Sequence, residues 1–166
     1  NLRGIVNLLE AVRARDVPPP LLFTSTNKVY GGLDGVAIEP RPLRYGYAGG
    51  LRGIDERAPL DFHSPYGCSK GAADQYVRDY ARIFGIPTVV FRLSCIYGTR
   101  QFGTEDQGWV AHFARSLLGG APITVYGDGR QVRDILWVGD LVDAMQRAIE
   151  GADARPGEIY NIGGGP

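Results

Sequence analysis

The residues best suited to chemistry are Tyr66 and Lys70, in the run Tyr66-Gly67-Cys68-Ser69-Lys70. A spacing of i, i+4 puts both side chains on one face of a helix. A phenol is a poor base near neutrality, and an ammonium group one turn away favours its ionised form. Such a pair can move a proton to or from a substrate hydroxyl while a hydride leaves or returns at the adjoining carbon. The chain has nine tyrosines, so the spacing alone is equally open to a plain helix-surface pair. Lysine usage adds weight: among 18 basic residues only Lys28 and Lys70 are lysines, and lysine is the cation whose pKa a site can adjust. A partner hydroxyl lies in Phe23-Thr24-Ser25-Thr26-Asn27-Lys28-Val29-Tyr30-Gly31. Ligands of open α/β sheets bind beyond the carboxyl ends of the strands. Thr26, just after an apolar strand pattern, would emerge there to steady the reacting hydroxyl.

Positioning these groups requires a set of elements that the hydrophobic periodicity predicts. Ile5, Leu8, Leu9 and Val12 recur at helical spacing, and Pro18-Pro19-Pro20 ends that helix. Leu21–Ser25 has the short apolar texture of a buried parallel strand. From Gly31 to about Asp61 the chain is rich in Gly and Pro and has no period, which marks a long loop of functional or disordered character. Ser64 and Pro65 form an N-cap and first-turn pair. They open a helix through Phe84 with Ala73, Tyr76, Val77, Tyr80 and Ile83 on its buried face and Asp74 and Asp79 on its solvated one. Gly85 ends the helix, Pro87 follows, and Thr88–Leu93 reads as a β-branched strand. Beyond Ser94 a polar loop precedes a helix over about 107–118. Short strands near 123–126 and 132–137, a helix over 139–149 and a strand over 158–162 follow, with Trp137 in the core. The alternation predicts an α/β fold with a parallel sheet, overlaid at one end by a smaller mixed α/β part.

Composition sets outer bounds. The 166 residues are 44% hydrophobic, enough for a sizeable core. Eighteen basic and eighteen acidic residues give no net charge, so no overall field draws the chain to nucleic acid or anionic lipid. No apolar run nears the roughly 20 residues that span a bilayer. Cys68 and Cys95 are separate thiols, which suits a reducing, cytoplasmic setting. His63 and His112 have no partner at metal-ligand spacing, and no metal site is expected.

Together the Thr26 segment, the tyrosine–lysine helix and the strand ending Phe91-Arg92-Leu93 resemble the extended short-chain dehydrogenase/reductase family, across essentially the whole chain. The resemblance implies a Rossmann-type sheet over residues 1–94 and a mainly substrate-binding part over 95–166. It implies NAD as cofactor, a nucleotide-diphosphate sugar as substrate and a homodimer through the first helix and the Tyr66 helix. Thr26, Tyr66 and Lys70 fall on the catalytic positions. Asn1, Ser25, Leu93 and Cys95, with Tyr66 and Lys70, fall on the cofactor side. Arg133 is the expected diphosphate contact, Tyr126 packs against the nucleotide base, and Thr124, Gln107, Trp109 and Cys95 complete the substrate side. Dehydratases of the family carry an Asp-Glu pair after the catalytic hydroxyl. Here the pair is Asn27-Lys28, which implies oxidation and re-reduction without elimination, hence an epimerase. Cys95, at a position commonly asparagine in 4-epimerases, points to a differently seated sugar. With the Arg100–Trp109 segment it implies epimerisation of a CDP-sugar at C2. A UDP-sugar 4-epimerase or decarboxylase, and a non-catalytic NAD-sensing scaffold, are the other readings.

The family's G-x-x-G-x-x-G phosphate turn is not in the sequence, and the expectation is a chain without the first βαβ units and incomplete at its C-terminal end. By itself such a chain is expected to be inactive. Gly163-Gly164-Gly165 follows a strand but is not expected to cradle phosphate.

Overall fold

The computed structural model describes residues 1–165. Its centre is a parallel sheet in the order β1-β4-β7, formed by Leu21–Thr26, Thr88–Leu93 and Glu158–Ile162. The register aligns Thr26 with Leu93 and Leu93 with Ile162, so the carboxyl ends finish level. Alternation along β4 sorts its side chains to two faces. Val90 joins a cluster with Ile5, Leu9 and Val12 of helix α1 (Leu2–Arg13) and Ala73 and Val77 of helix α2 (Ser64–Phe84). Val89 and Phe91 face the other way, toward Leu141 of helix α4 (Val138–Glu150), with Leu136 and Ala152. Helices thus cover both faces, the condition for a buried parallel sheet. Each fully buried aliphatic chain here contributes on the order of 1.5–3 kcal/mol.

The parallel strands and the long helix match the sequence expectation closely. Ser64 has φ +63° and its Oγ accepts from the Gly67 amide at 3.2 Å, which is N-cap behaviour ahead of Pro65. Gly85, in the left-handed region at φ +66°, closes the helix. The helix faces are narrower than the periodicity suggests. Leu8 of α1 and Tyr76 and Ile83 of α2 are exposed, because α1 and α2 also pack against each other and turn these positions outward. Tyr80 Oη donates to Glu10 Oε1 at 2.6 Å across that contact.

Elsewhere the chain departs from expectation. The aperiodic loop contains an antiparallel hairpin, β2 (Ile38–Pro40) with β3 (Tyr45–Tyr47). The strand expected over 123–126 does not form; Val125 and Tyr126 are exposed there, without a neighbouring strand to pair them. The next expected strand is confined to β6 (Ile135–Trp137), which pairs in parallel with an unexpected β5 (Cys95–Tyr97). Helix α3 (Trp109–Leu118) starts two residues late because Gly108 takes φ +72°, incompatible with a helical turn. Trp137 is not core: its ring packs at a tilt against Tyr97, with centroids 5.5 Å apart, and is exposed. Strand β7 joins the main sheet, so residues beyond 95 build part of it as well.

Candidate active site

The first two turns of α2 dock on the carboxyl end of β1. Lys70 Nζ donates to the Thr24 carbonyl at 2.5 Å and lies 4.7 Å from the centre of the Phe23 ring. Desolvation holds the Lys70 pKa below its ordinary value. Glycine at 71 lets the loop before α2 pack against the helix: a side chain there would collide with the Phe62 ring. Two residues beyond Thr24, Thr26 is buried and its Oγ1 accepts from the Lys28 amide at 3.2 Å. That contact uses one lone pair and leaves the hydroxyl hydrogen free to be donated. Tyr66 is 52% exposed, and its hydroxyl has no hydrogen-bond partner among the described residues. Asn1 Nδ2 donates to Ser69 Oγ at 3.1 Å, and Ser69 Oγ donates to the Tyr66 carbonyl at 3.0 Å. Asn1, Thr26, Tyr66 and Lys70 therefore belong to one region.

The same sheet edge continues through β4. The Ser94 amide donates to the Ile162 carbonyl at 3.1 Å and the Cys95 amide to the Asp134 carbonyl at 3.2 Å. This sets the exposed Cys95 beside Asp134 and Ile135, and Leu93 beside Ile162. The hydroxyl oxygens of Ser25 and Ser94 are both buried here without a partner among the described residues. Buried polar atoms are rarely left unpaired. Two such hydroxyls at the carboxyl ends of the neighbouring strands β1 and β4 suit a polar ligand lying across them, as the hydroxyl- and amide-bearing nicotinamide riboside would. Ser25, Leu93 and Cys95 thus stand where a cofactor could be held.

The remaining candidates lie in the segment between β5 and β6. Tyr126 is 70% exposed, and its hydroxyl donates to Glu105 Oε1 at 2.6 Å, which raises its pKa. The Gln107 amide donates to Thr104 Oγ1 at 3.3 Å, and Trp109 packs edge-on against Phe113 at 5.6 Å. Trp109 Nε1 and Gln101 Oε1 are buried without a partner among the described residues. Thr124 and Arg133 are exposed. The β2–β3 hairpin braces this group: the Tyr45 amide donates to the Arg130 carbonyl at 3.0 Å, and its hydroxyl donates to Asp128 Oδ2 at 2.8 Å. No hydrogen bond among the described residues links the Tyr126 group to Thr26, Tyr66 or Lys70. Two shallow surface depressions, lined by Asp143, Gln146, Arg147 and Glu150 and by Ala14–Val17, lie away from both groups.

Comparison with known proteins assigns the arrangement. A family model described as the NAD dependent epimerase/dehydratase family matches residues 1–163. The chain belongs to the NAD dependent epimerase/dehydratase family. It is 47% identical to a CDP-paratose 2-epimerase of Salmonella typhi, over 99% of this chain and 50% of that protein. It is 33% identical to a putative UDP-glucose 4-epimerase of Methanocaldococcus jannaschii, over 99% of this chain and 48% of that one. Among solved structures, the dTDP-glucose 4,6-dehydratase of Bacillus anthracis in complex with NAD superposes with a TM-score of 0.79 at 32% identity, covering 99% of this chain and 46% of that one. The chain spans about half the length of the curated relatives it matches. Epimerases and dehydratases of this family are enzymes, and NAD is the family's cofactor.

Within this family frame, the least anticipated residues are Asp74 and Arg92. Asp74, expected on a solvated face, is 0% exposed, and Arg92 is 2% exposed. Arg92 Nε and Nη2 donate to Asp74 Oδ2 and Oδ1, each at 3.0 Å. The signal was available: period two puts Arg92 on the face of Thr88 and Val90, beneath α2, where a guanidinium needs an anion. No group of His, Cys, Asp or Glu fit to hold a metal occurs among the described residues. The Gly164 amide donates to Asp134 Oδ1 at 2.8 Å, so in this fold the glycine run faces a carboxylate.

Proposed function

We propose that the intact protein epimerises a nucleotide-diphosphate sugar by transient oxidation and re-reduction, with residues 1–94 on the cofactor side and 95–166 mainly on the substrate side. The observation that carries this is the docking of Lys70 on Thr24, which seats Tyr66 and Lys70 at the strand end that bears Thr26. NAD, when bound, supplies the hydride acceptor and donor. Thr26 donates to the oxygen of the reacting hydroxyl, and Tyr66 takes its proton and later gives it back. Lys70, cationic and partly desolvated, supports the ionised phenol and holds the ribose of the cofactor. Asn1, Ser25, Leu93 and Cys95 line the cofactor's path. Arg133 grips the diphosphate through its planar fork, and Tyr126, Thr124, Gln107 and Trp109 retain the nucleotide while the sugar turns over. Placing the nucleotide contacts on the segment between β5 and β6 suits this division, because the nucleotide must stay fixed while the sugar presents its other face.

The finer reading is a C2 epimerisation of a CDP-sugar. It rests on the 47% identity to the Salmonella typhi CDP-paratose 2-epimerase, on Asn27-Lys28 in place of an Asp-Glu pair and on Cys95. A UDP-sugar 4-epimerase is the second reading, favoured by the 33% identity to the Methanocaldococcus jannaschii relative. We place the protein in the cytoplasm: Cys68 and Cys95 are free and exposed, and no helix among the described residues is long and apolar enough to cross a membrane. A homodimer through α1 and α2 would cover the exposed Leu8, Tyr76 and Ile83.

The test follows sugar-proton NMR of CDP- and UDP-sugars with the full-length protein in D2O. Inversion at C2 without deuterium entering there is the expected result. Inversion at C4, or loss of water from the sugar, would overturn the C2 reading.

A further inference from the structure

Arg92 is the hub of a hydrogen-bonded network beneath the candidate active site. Besides its paired bonds to Asp74, Arg92 Nη1 donates to Tyr30 Oη at 2.9 Å and to the Glu56 carbonyl at 3.3 Å. Its guanidinium carbon lies 5.1 Å from the centre of the Tyr30 ring. Tyr30 Oη passes the chain on, donating to Asn161 Oδ1 at 2.7 Å. Asn161 in turn donates from its amide to Glu56 Oε1 at 2.6 Å and from Nδ2 to the Ile54 carbonyl at 2.9 Å. Tyr30 is itself buried.

Each anchored residue adjoins a residue assigned to the site. Asp74 lies one helical turn beyond Lys70 on α2, at the i, i+4 spacing that shares a face. Tyr30 ends the 3₁₀ turn Asn27–Tyr30, whose N-cap is Thr26. Arg92 immediately precedes Leu93, and Asn161 aligns with Arg92 in the sheet register. Ile54 and Glu56 tie the far part of the long loop to the same point. The Asp61 amide adds a bond to the Val29 carbonyl at 2.9 Å. The strand end, the helix face and the loop thus meet at one phenolic hydroxyl and one guanidinium.

A stable core does not require this. A buried ion pair gives little net stability over apolar side chains of similar volume, and its best-attested use is to fix one arrangement. The bidentate fork and the shared phenol define distances and angles that an apolar contact would leave loose.

We propose that Tyr30, Arg92 and Asp74 are positioning residues: they fix the Thr26 turn and the Tyr66–Lys70 face of α2 relative to each other. The proposal rests on the epimerase reading for its effect on catalysis and on the fold alone for its effect on rigidity. Small displacements of reacting groups are expensive, about a hundredfold for 1 Å.

The test uses the full-length protein with Tyr30→Phe, which deletes only the shared hydroxyl. Thr88→Val serves as the control. Thr88 Oγ1 donates to the Val77 carbonyl at 3.0 Å, a buried bond between the same strand and helix but at the end remote from the site. We expect Tyr30→Phe to lower kcat about 10- to 100-fold with KM changed less than about twofold. Amide exchange should quicken at residues 26–30 and 64–70. Thr88→Val should lower the melting temperature with kcat and those amides unchanged. Arg92→Lys, which keeps the charge and loses the fork, should not restore kcat if it folds. Equal effects of Tyr30→Phe and Thr88→Val on exchange, or unchanged kcat in Tyr30→Phe, would overturn the proposal. If the unaltered protein turns over no nucleotide sugar, the epimerase reading fails and exchange alone decides the brace.

Discussion

The two halves of the candidate site are built on different principles. On the catalytic side, Thr26 and Lys70 are held by a sheet covered on both faces, by a fixed Lys70–Thr24 bond and by a buried ion pair. On the substrate side, residues 98–134 contain one helix with no buried residue, and Tyr126 and Arg133 are exposed. Proton transfer needs preorganised donors, because the bond made and the bond broken leave no room for adjustment. Holding a nucleotide allows side chains to close on their ligand. The contrast predicts that substitutions on the catalytic side reduce turnover or stability, whereas those on the substrate side reduce affinity.

The sharpest break would come from Tyr66→Phe. Removing the hydroxyl proposed to take and return the proton should lower kcat by about 10² to 10⁴-fold, with the fold and nucleotide affinity retained, because the side chain is half exposed and its hydroxyl has no hydrogen-bond partner among the described residues. Steady-state kinetics and a binding titration on the full-length protein check this. Unchanged turnover would remove Tyr66 from the mechanism.

Next in size is Asp74→Ala. It strands the Arg92 guanidinium in a pocket that is 2% exposed. Breaking a buried pair in this way costs about 3–5 kcal/mol, measurable as a shift in the denaturant midpoint of the full-length protein. A loss below about 1 kcal/mol, the level of an exposed pair, would mean that water reaches Arg92 and that the catalytic side is less rigid than described.

Much of the catalytic side was legible in the sequence because local rules and tertiary packing agree there. Ser64-Pro65 and Gly85 bracket α2, and the β-branched run Thr88–Leu93 had no competing period. The substrate side was less legible for a physical reason. Ile123-Thr124-Val125-Tyr126 has the composition of a strand, but a strand requires a neighbour to pair with, and composition does not supply one. The β5–β6 pair was hidden by the converse: three-residue strands are too short to show alternation. Asp74 was misassigned because a helical wheel shows an acidic residue as a surface residue until its partner strand is considered. Arg92 in an otherwise apolar strand was the clue. The roles proposed for Thr26, Tyr66 and Lys70 rest on resemblance joined to spacing; the docking of α2 on β1 through Lys70 and Thr24 sets the helix at the strand that bears Thr26.

On the substrate side, Arg133→Ala should weaken nucleotide-sugar binding by about 1.5–3 kcal/mol, the range for a hydrogen bond to a charged group, with kcat changed little. Isothermal titration with the CDP-sugar and with CDP alone measures it. Because the side chain is exposed, the melting temperature should not move. A fall in kcat with unchanged affinity would erase the distinction between the two halves.

The smallest expected effect tests the desolvation of Lys70. Burial lowers its pKa in the folded state from the ordinary 10.5. Between the lowered value and 10.5 the unfolded chain therefore binds more protons than the folded one, and stability attributable to Lys70 rises with pH across that window. Below it both states are protonated and the desolvation penalty is present in full. Melting curves of the full-length protein and of Lys70→Met, taken from neutrality to the alkaline limit, isolate the contribution as a difference. The unaltered protein should gain on the variant as pH rises, while turnover moves the opposite way, since the ammonium proposed to support Tyr66 is lost through the same titration. Opposed trends in stability and activity would identify Lys70 as a charge kept for chemistry at a cost to the fold. Parallel trends would mean that its bond to the Thr24 carbonyl outweighs the desolvation, and that Lys70 serves the docking of α2 more than the phenol.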